Sequence, residues 1–325
     1  MIIVTGGAGF IGSNVVAALV ERGEVPVVCD LFGADEKWQN LAKHELNDIV
    51  PPDDLWAFLE ANKPDTIIHM GANSSTTERN ADLILEQNFR YTRRLWAWCA
   101  AHKVRFIYAS SAATYGDGSA GFADNETKAG LAQLRPLNLY GWSKHLFDRR
   151  VARCVADGAA LPRQWVGLKF FNVFGPNEFH KGPMRSVALQ AFEQLKRDDT
   201  INLFKSHRPD FEDGGQRRDF VYVRDCVDVI LWLLDKPAVN GLYNLGTGSA
   251  RTFADLAAAA CRALNREVDI AYVDMPSELR PRYQYSTQAE MGRLREAGYE
   301  KEFTSLEDAI ADYFQKYLLK DDCYR

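Results

Sequence analysis

The sequence has no excess of positive charge. Its 39 lysine and arginine residues are outnumbered by 44 aspartate and glutamate residues, which gives a formal net charge of -5 at pH 7. Proteins that bind nucleic acid use basic side chains to neutralise the phosphates. A nucleic acid partner is therefore not expected.

Paired cysteines, histidine clusters and long apolar runs are also absent from the sequence. The six cysteines include no CxxC pair, so reduced thiols are expected, and the six histidines form no HExxH or Cys-His cluster, so no metal site is predicted. The uncharged N-terminal run is interrupted by glycines and has no basic segment before it, which excludes a signal peptide or a spanning helix. We expect a cytoplasmic protein that does not bind membranes.

What the sequence does contain is an ordinary globular composition, with 46% hydrophobic and 26% charged residues among 325. Short β-branched runs alternate with longer amphipathic stretches, which is typical of a doubly wound α/β sheet. Strands are predicted at 2–4, 26–29, 66–69, 105–108, 165–170 and 241–245. Helices are predicted at 11–22, 53–62, 83–102, 140–156, 184–196, 224–234, 252–264 and 306–317, and a polar loop at 205–218.

This pattern predicts the fold class α/β: a doubly wound parallel Rossmann sheet with a smaller, interleaved C-terminal substrate-binding lobe. Residues 1–170 are predicted to form the dinucleotide-binding Rossmann domain, with contributions from about 218–247. Residues 171–325 are predicted to form mainly the substrate-binding lobe, because the regular alternation becomes looser there.

A glycine-rich turn lies between the first predicted strand and the first predicted helix. Gly6, Gly9 and Gly12 satisfy GxxGxxG, and the same segment also satisfies GxGxxG from Gly7. Glycines allow the backbone to approach a pyrophosphate, and the following helix N-terminus supplies free N–H groups. The turn therefore predicts dinucleotide binding.

Two charged residues bear on which dinucleotide is bound. Asp30, at the end of the second strand, is placed to accept hydrogen bonds from the adenosine ribose, which favours NAD. Lys37 either pairs with a 2'-phosphate, which favours NADP, or is a solvated surface charge. Asp48 and Ile49 are predicted to follow the next strand near the adenine, or to form a turn.

Tyr140 and Lys144 are spaced to lie on one face of a predicted helix. A phenol is a poor base at neutral pH unless a nearby cation stabilises the phenolate, so this pair predicts acid/base chemistry. Ser111 follows a buried strand and is placed to hydrogen-bond the reacting oxygen. Ser110 and Thr114 are expected to make only ordinary turn hydrogen bonds.

These residues resemble the extended short-chain dehydrogenase/reductase superfamily, which carries TGGAGFIG (here 5–12), a Ser or Thr after the fourth strand and YxxxK (here 140–144). Further segments are similar to one group of it, the ADP-L-glycero-D-manno-heptose 6-epimerases. They are GANSSTTE at 71–78, SSAATYG at 110–116, FFNVFGP at 170–176, HKG at 180–182 and RDFVYV at 218–223.

The resemblance implies an isomerase that inverts C6'' of an ADP-linked heptose, for lipopolysaccharide core precursors, through a transient ketone and a bound nicotinamide, NADP or NAD. Tyr140, assisted by Lys144 and Ser111, would serve one face of the ketone and Lys181 the other. Alternatively, Lys181 pairs with a phosphate or lies in a solvated loop. A homo-oligomer is implied as well. Another nucleotide-sugar epimerase, of the UDP-hexose 4-epimerase type, and a non-catalytic NADP(H)-binding regulatory protein remain open.

The resemblance also implies the residues of the binding sites. The cofactor would contact Gly6, Gly9, Phe10, Ile11, Gly12, Asp30, Lys37, Met70, Gly71, Ala72, Asn88, Tyr140, Lys144, Val173 and Lys181. The nucleotide-sugar would contact Ser111, Asn172, Phe204, Arg218 and Tyr283. The sequence departs from the family pattern at Pro183 and in the polar loop 205–216.

Overall fold

A parallel sheet of seven strands forms the centre of the molecule in a computed structural model, which describes residues 1–34, 36–277, 280 and 283–325. The strands, in chain order, are β1 (Ile2–Thr5), β2 (Val27–Cys29), β3 (Asp48–Val50), β4 (Thr66–His69), β5 (Arg105–Ser111), β6 (Trp165–Phe170), β7 (Asn172–Phe174), β8 (Ile201–Phe204), β9 (Arg217–Arg218), β10 (Phe220–Tyr222), β11 (Gly241–Leu245), β12 (Arg251–Thr252) and β13 (Ile270–Val273). The central sheet has the order β11-β6-β5-β4-β1-β2-β3. This confirms the predicted parallel sheet.

The helices connect these strands. They are α1 (Phe10–Glu21), α2 (Leu55–Ala61), α3 (Ala81–Ile84), α4 (Tyr91–His102), α5 (Lys128–Leu131), α6 (Leu139–Ala156), α7 (Val187–Asp198), α8 (Val223–Asp235), α9 (Phe253–Ala263), α10 (Gly292–Glu296) and α11 (Leu306–Tyr313). Short 3-10 segments span Lys37–Asn40, Ala112–Tyr115 and Phe179–Met184, and π-helical segments span Leu85–Arg90 and Phe314–Leu318.

Helices cover both faces of the central sheet. Val15 and Leu19 of α1 pack with Ile230 of α8 against one face. Leu95 of α4 and Phe147 of α6 pack against the other face. Because both faces are covered, the strands of such a sheet are apolar throughout, as the sequence pattern indicated.

A second core belongs to the C-terminal part of the chain. It joins α7, α9 and α11 through Leu189, Phe192, Leu256 and Ile310, all nearly inaccessible to solvent. Between these helices the chain returns to the central sheet as α8 and β11. The assignment of 171–325 mainly to substrate binding stays a prediction.

The edge strand β3 corrects one expectation from the sequence. Asp48 begins this strand and pairs with Val27, the first residue of β2, so it does not follow a strand. Ligands of such sheets bind at the carboxyl ends of the strands, and Asp48 lies at the other end. The predicted place near the adenine is therefore wrong. The strand has only three residues and ends before Pro51 and Pro52, which is too short for a run of strand residues to stand out in the sequence.

The helix predicted at 83–102 is interrupted by a π-helical segment. The chain passes from α3 through Leu85–Arg90 into α4, and Asn88 within the π-helical turn is buried. Such turns accommodate one extra residue in a helix and often occur at functional sites. Periodicity alone does not reveal them.

The six cysteines are all free thiols. Within the residues that the structure describes, no group of three or more His, Cys, Asp or Glu side chains is placed to hold a metal ion. No helix in that same part of the chain has the length and apolar character needed to cross a membrane.

Candidate active site

A cavity of about 840 Å³ lies where β1, β4, β5 and β6 end. Its walls come from the glycine loop, residues 70–75, the end of β5, the start of α6, and residues 172–174, 180–181 and 184–188. The carboxyl ends of parallel strands are the usual ligand site of a doubly wound sheet. The cavity therefore has the expected position.

The glycine loop forms the part of the cavity nearest to α1. Gly6 has φ +66°, and a Cβ atom there would lie 2.5 Å from the backbone nitrogen of Gly71. A Cβ atom at Gly12 would overlap the carbonyl oxygen of Gly6. Gly9 precedes α1 and has no side chain to cap it, so N–H groups of the first turn stay available. This backbone fits the pyrophosphate of a dinucleotide.

Asp30 and Lys37 form an ion pair beside the glycine loop. The amide of Ala8 donates to Oδ2 of Asp30 over 2.9 Å, and Lys37 Nζ lies 2.6 Å from Oδ1. Lys37 also donates to the carbonyl oxygen of Leu31 over 2.9 Å. Its side chain is 18% exposed, so Lys37 is held against Asp30 instead of extending freely into solvent.

Tyr140 lies in the first turn of α6, next to the end of β5. The Asn138 side chain caps this helix by accepting from the amide of Gly141 over 2.8 Å. A Cβ atom at Gly141 would lie 2.6 Å from the carbonyl oxygen of Ala113, so glycine permits this close approach. Burial raises the pKa of the Tyr140 phenol, and the neighbouring Ser111 side chain lowers it.

Lys144 lies one turn after Tyr140 and lines the same cavity. Its ammonium group donates to the carbonyl oxygen of Ala109 over 2.8 Å. Burial lowers the pKa of Lys144 to about 8, and the Asp148 carboxylate acts in the opposite direction. At pH 7 most of Lys144 carries its proton, which places a cation beside the phenol. The structure thus brings Ser111, Tyr140 and Lys144 together.

Lys181 reaches the cavity from the 3-10 segment Phe179–Met184. Its ammonium lies 5.0 Å from the ring centroid of Phe10, the first residue of α1. Burial lowers the pKa of Lys181, and the Glu178 carboxylate opposes this effect. Phe10 follows β1, whereas Ser111 ends β5, and β4 lies between those strands. Lys181 and Tyr140 therefore approach the cavity over different strands.

Glu178 anchors the loop that carries Lys181. Its carboxylate accepts from the Ser186 hydroxyl over 2.6 Å and from the Ser186 amide. It also accepts from the amide of Gly175 and the hydroxyl of Tyr313, each over 3.3 Å. The residue is 0% exposed. Sequence reasoning missed this role, and the only available signal was its position shortly before HKG.

Asn88 lies behind the wall formed by residues 70–75. Its side chain accepts from the amide of Asn73 over 2.8 Å, donates to the carbonyl oxygen of Asn73 over 2.9 Å and donates to Ser143 Oγ over 3.0 Å. Asn88 therefore acts on the cavity through the backbone of Asn73. The predicted residues that line the cavity are Gly6, Gly9, Phe10, Ile11, Gly12, Asp30, Lys37, Met70, Gly71, Ala72, Ser111, Tyr140, Lys144, Asn172, Val173 and Lys181.

The remaining predicted substrate residues form a cationic and aromatic cluster. The guanidinium carbon of Arg218 lies 5.1 Å from the Tyr283 ring centroid and 5.5 Å from that of Phe253. The rings of Phe204 and Tyr283 meet edge to face at 6.4 Å. Phe253, which sequence reasoning missed, also lines the cavity and so joins the cluster to it. Pro183 is exposed and is not one of the described residues that line the cavity.

Two hydroxyl groups near Ser111 have different roles. Thr114 donates to the carbonyl oxygen of Ser111 over 2.8 Å, which is the predicted turn bond. Its hydroxyl also accepts from Lys169 over 2.6 Å, so the prediction of turn bonds alone was wrong for this residue. Ser110 instead donates to Oδ2 of Asp148 on α6 over 2.7 Å, so the prediction of a turn bond was wrong for this residue. The partner lies far along the sequence, and the local pattern did not reveal it.

Comparison with known proteins agrees with this geometry. Residues 2–246 match the NAD dependent epimerase/dehydratase family. The chain is 51% identical over 99% of both chains to an ADP-L-glycero-D-manno-heptose-6-epimerase of Nitratidesulfovibrio vulgaris, and 45% identical over 100% of both to one of Fusobacterium nucleatum. The crystal structure of this epimerase from Helicobacter pylori has a TM-score of 0.78 and 28% identity, covering 97% of this chain and 95% of that chain. The chain therefore belongs to the NAD dependent epimerase/dehydratase family and, within it, to the group of ADP-L-glycero-D-manno-heptose-6-epimerases.

Proposed function

We propose that this isomerase inverts C6'' of ADP-D-glycero-D-manno-heptose and forms ADP-L-glycero-D-manno-heptose through a ketone at C6''. The observation that carries the proposal is that Tyr140 and Lys181, two groups able to transfer protons, line one cavity from different elements. Inversion requires the ketone to present its second face to the same hydride donor, which moves the ketone oxygen to a new position. A second proton donor at that position suits this reaction. The full-length similarity to heptose epimerases supports the choice of sugar.

The cofactor of this proposal is a nicotinamide dinucleotide, with NADP preferred. The backbone of the glycine loop and the start of α1 would hold the pyrophosphate. Lys37 would pair with a 2'-phosphate, because its ammonium already lies beside the ribose-binding carboxylate of Asp30. When bound, the nicotinamide supplies hydride removal and return at the sugar carbon.

Tyr140 would remove the proton of the C6'' hydroxyl at its phenolate oxygen. Ser111, which lines the cavity beside that phenol, would hold the reacting oxygen in place. The Lys144 ammonium, fixed by the Ala109 carbonyl oxygen, would stabilise the phenolate electrostatically. Together these residues would make a phenol usable as a base near neutral pH.

Lys181 would protonate the oxygen at C6'' after the ketone has presented its second face. Burial lowers the pKa of its ammonium, which makes the proton easier to release than that of a solvated lysine. Over one turnover the proton lost to Tyr140 is matched by the one given by Lys181. Exchange with water would restore both groups.

The Arg218 cluster would bind the ADP part of the substrate. A guanidinium group forms paired hydrogen bonds with diphosphate oxygens, and the rings of Phe204 and Tyr283 offer stacking surfaces. Asn172, exposed at the edge of the cavity, would contact the sugar.

The proposal is tested by incubating the purified protein with ADP-D-glycero-D-manno-heptose and following the C6'' configuration by proton NMR. We expect the L-glycero epimer to form without net accumulation of reduced nicotinamide, because hydride leaves and returns within one turnover. UDP-glucose serves as the comparison substrate. Conversion of UDP-glucose with no conversion of the heptose, or steady growth of reduced nicotinamide, would contradict the proposal.

A further inference from the structure

A fully buried ion pair lies directly behind the proton-transfer residues. Asp148 of α6 and Lys169 of β6 approach to 2.8 Å, and both side chains are 0% exposed. Asp148 follows Tyr140 and Lys144 at intervals of one helical turn, so all three side chains lie on the same side of α6. The pair is thus continuous with the catalytic face of this helix.

The ion pair connects α6 to the end of β5. Asp148 accepts hydrogen bonds from Ser110 over 2.7 Å and from Tyr108 over 3.1 Å. Lys169 donates to Thr114 over 2.6 Å, and Thr114 donates to the Ser111 carbonyl oxygen. Ser110, which precedes Ser111, and Thr114, which follows it, therefore both hydrogen-bond to the ion pair.

We propose that Asp148 and Lys169 are positioning residues, which hold Ser111 against Tyr140 and set the electrostatic environment of Lys144. The inference rests on the proposed function, because it takes these three residues as the proton-transfer group. Neither Asp148 nor Lys169 is one of the residues through which the reaction is proposed to proceed. A buried charge left without its partner is strongly destabilising, so both charges are needed together.

The titratable groups that the structure places around Lys144 come from several elements. Tyr140 and Asp148 lie on the same helix, Lys169 is bound to Asp148 from β6, and His69 ends β4. Burial lowers the pKa of His69 to about 3, and the Lys144 charge contributes in the same direction, so His69 is neutral at pH 7. The Asp148 carboxylate acts on the Lys144 ammonium as a countercharge and favours its protonated form.

The two charges predict opposite effects on Lys144. Asp148→Asn removes a negative charge, so Lys144 releases its proton at lower pH, by about one pH unit. Lys169→Met removes a positive charge and leaves the carboxylate, so Lys144 holds its proton to higher pH. Because activity requires protonated Lys144, the decline of kcat at high pH moves in the same two directions. A merely structural role would lower the amount of active enzyme without moving the profile.

The experiment follows the titration of Lys144 by NMR in the full-length protein with its bound nicotinamide, using lysine labelled with carbon-13 at Cε and Lys144→Arg for assignment. Ser110→Ala is the matched control, since it removes a hydrogen bond to Asp148 without changing a charge. Lys169→Arg keeps the charge and is expected to retain the wild-type titration. The pH profile of kcat is then measured for the same variants.

The inference fails if Asp148→Asn leaves the Lys144 titration unchanged, or if Asp148→Asn and Lys169→Met move it in the same direction. Should either single variant not fold, the titrations of Lys169→Arg and Ser110→Ala remain decisive, because a shift in either as large as one pH unit contradicts the charge-based account. The titration uses no substrate. If the wild-type protein does not convert the heptose, the proposed function is contradicted, but the titration of Lys144 can still be interpreted.

Discussion

Tyr140 and Lys181 face one cavity but are held by different kinds of structure. Tyr140 lies on a regular helix of 18 residues, capped by Asn138 and tied to the central sheet through Lys144 and Asp148. Lys181 lies in a short 3-10 segment that follows Asn177 and Glu178, whose side chains bond to Ser13 and Tyr313 far away in the chain. The position of Tyr140 is therefore defined mainly by the backbone hydrogen bonds of a helix, and the position of Lys181 mainly by side-chain contacts.

The two walls of the cavity that carry these residues are called the Tyr140 side and the Lys181 side. The Lys181 side depends on contacts between the core around the central sheet and the C-terminal core. Glu178 is bonded to Tyr313 of α11, and Asn177, with φ +73°, donates to Ser13 of α1 over 3.0 Å. The amide of Arg325 in turn donates to the side chain of Asn177 over 2.9 Å. This difference teaches that substitutions far from the cavity should disturb the Lys181 side more readily than the Tyr140 side.

The largest effect is expected when the Tyr140 side loses its reacting group. Tyr140→Phe removes only the hydroxyl, so the fold and the bound cofactor should remain, while kcat falls by about 10³-fold. Steady-state kinetics with the heptose substrate, together with absorbance of the bound nicotinamide, measures both. Tyr272→Phe, at a position 40% exposed on β13, is the control. A Tyr140→Phe enzyme close to the wild-type rate would remove Tyr140 from the mechanism.

Removing the reacting group on the Lys181 side should have a somewhat smaller effect. Lys181→Met roughly preserves length and deletes the charge, so we expect kcat to fall by about 10²-fold with little change in KM. Lys63→Met, at an exposed position, is the control. If kcat were unchanged and KM were raised, Lys181 would be a binding residue, and Tyr140 would have to serve both faces of the ketone.

Glu178, which anchors the Lys181 loop, allows a test of whether side-chain contacts hold the Lys181 side in place. Glu178→Gln keeps the shape of the side chain but replaces one acceptor with a donor, which leaves the Ser186 amide or hydroxyl without a partner. The unsatisfied group costs about 1–3 kcal/mol while the loop keeps its observed position, so the loop should leave that position part of the time. We therefore expect kcat to fall about tenfold. Glu24→Gln, at an exposed position, is the control. A wild-type kcat in Glu178→Gln would show that the loop needs no such anchor.

The smallest effect on kcat is expected from substitution of Lys37, which lies on neither the Tyr140 side nor the Lys181 side. Lys37→Ala should weaken NADP binding by about tenfold, an amount equal to 1.4 kcal/mol, and weaken NAD binding less. Fluorescence titration with each dinucleotide measures this difference. At saturating cofactor the rate should stay at the wild-type value. An equal loss for NADP and NAD would make Lys37 a structural partner of Asp30 alone.

Local sequence signals were sufficient for six of the seven strands of the central sheet and for the Tyr140 side. The glycine loop and the spacing of Tyr140 and Lys144 each depend on residues close together in sequence, between a strand and a helix or within one helix. The NVFGP segment and HKG identified Lys181 through resemblance. These features could be predicted because their geometry is set by secondary structure or by a continuous motif.

The remaining features depend on partners that are far apart in the chain. Nothing near Glu178 indicates that Tyr313 will reach it, and nothing near Asp148 identifies Lys169 as its countercharge. The edge strand at Asp48 has only three residues, too few to give a strand pattern in the sequence. Side-chain partners chosen by tertiary packing leave no periodic signal in the sequence.

The π-helical turn between α3 and α4 determines how this region tolerates changes in chain length. One residue turns an α-helix by about 100°, so deleting a residue from Leu85–Arg90 would make the helix more regular but would rotate one end relative to the other. Either Asn88 would leave Asn73, or Leu95 and Trp96 of α4 would leave the core. Substitutions on the exposed side of this turn preserve both contacts, whereas a single deletion forces the loss of one.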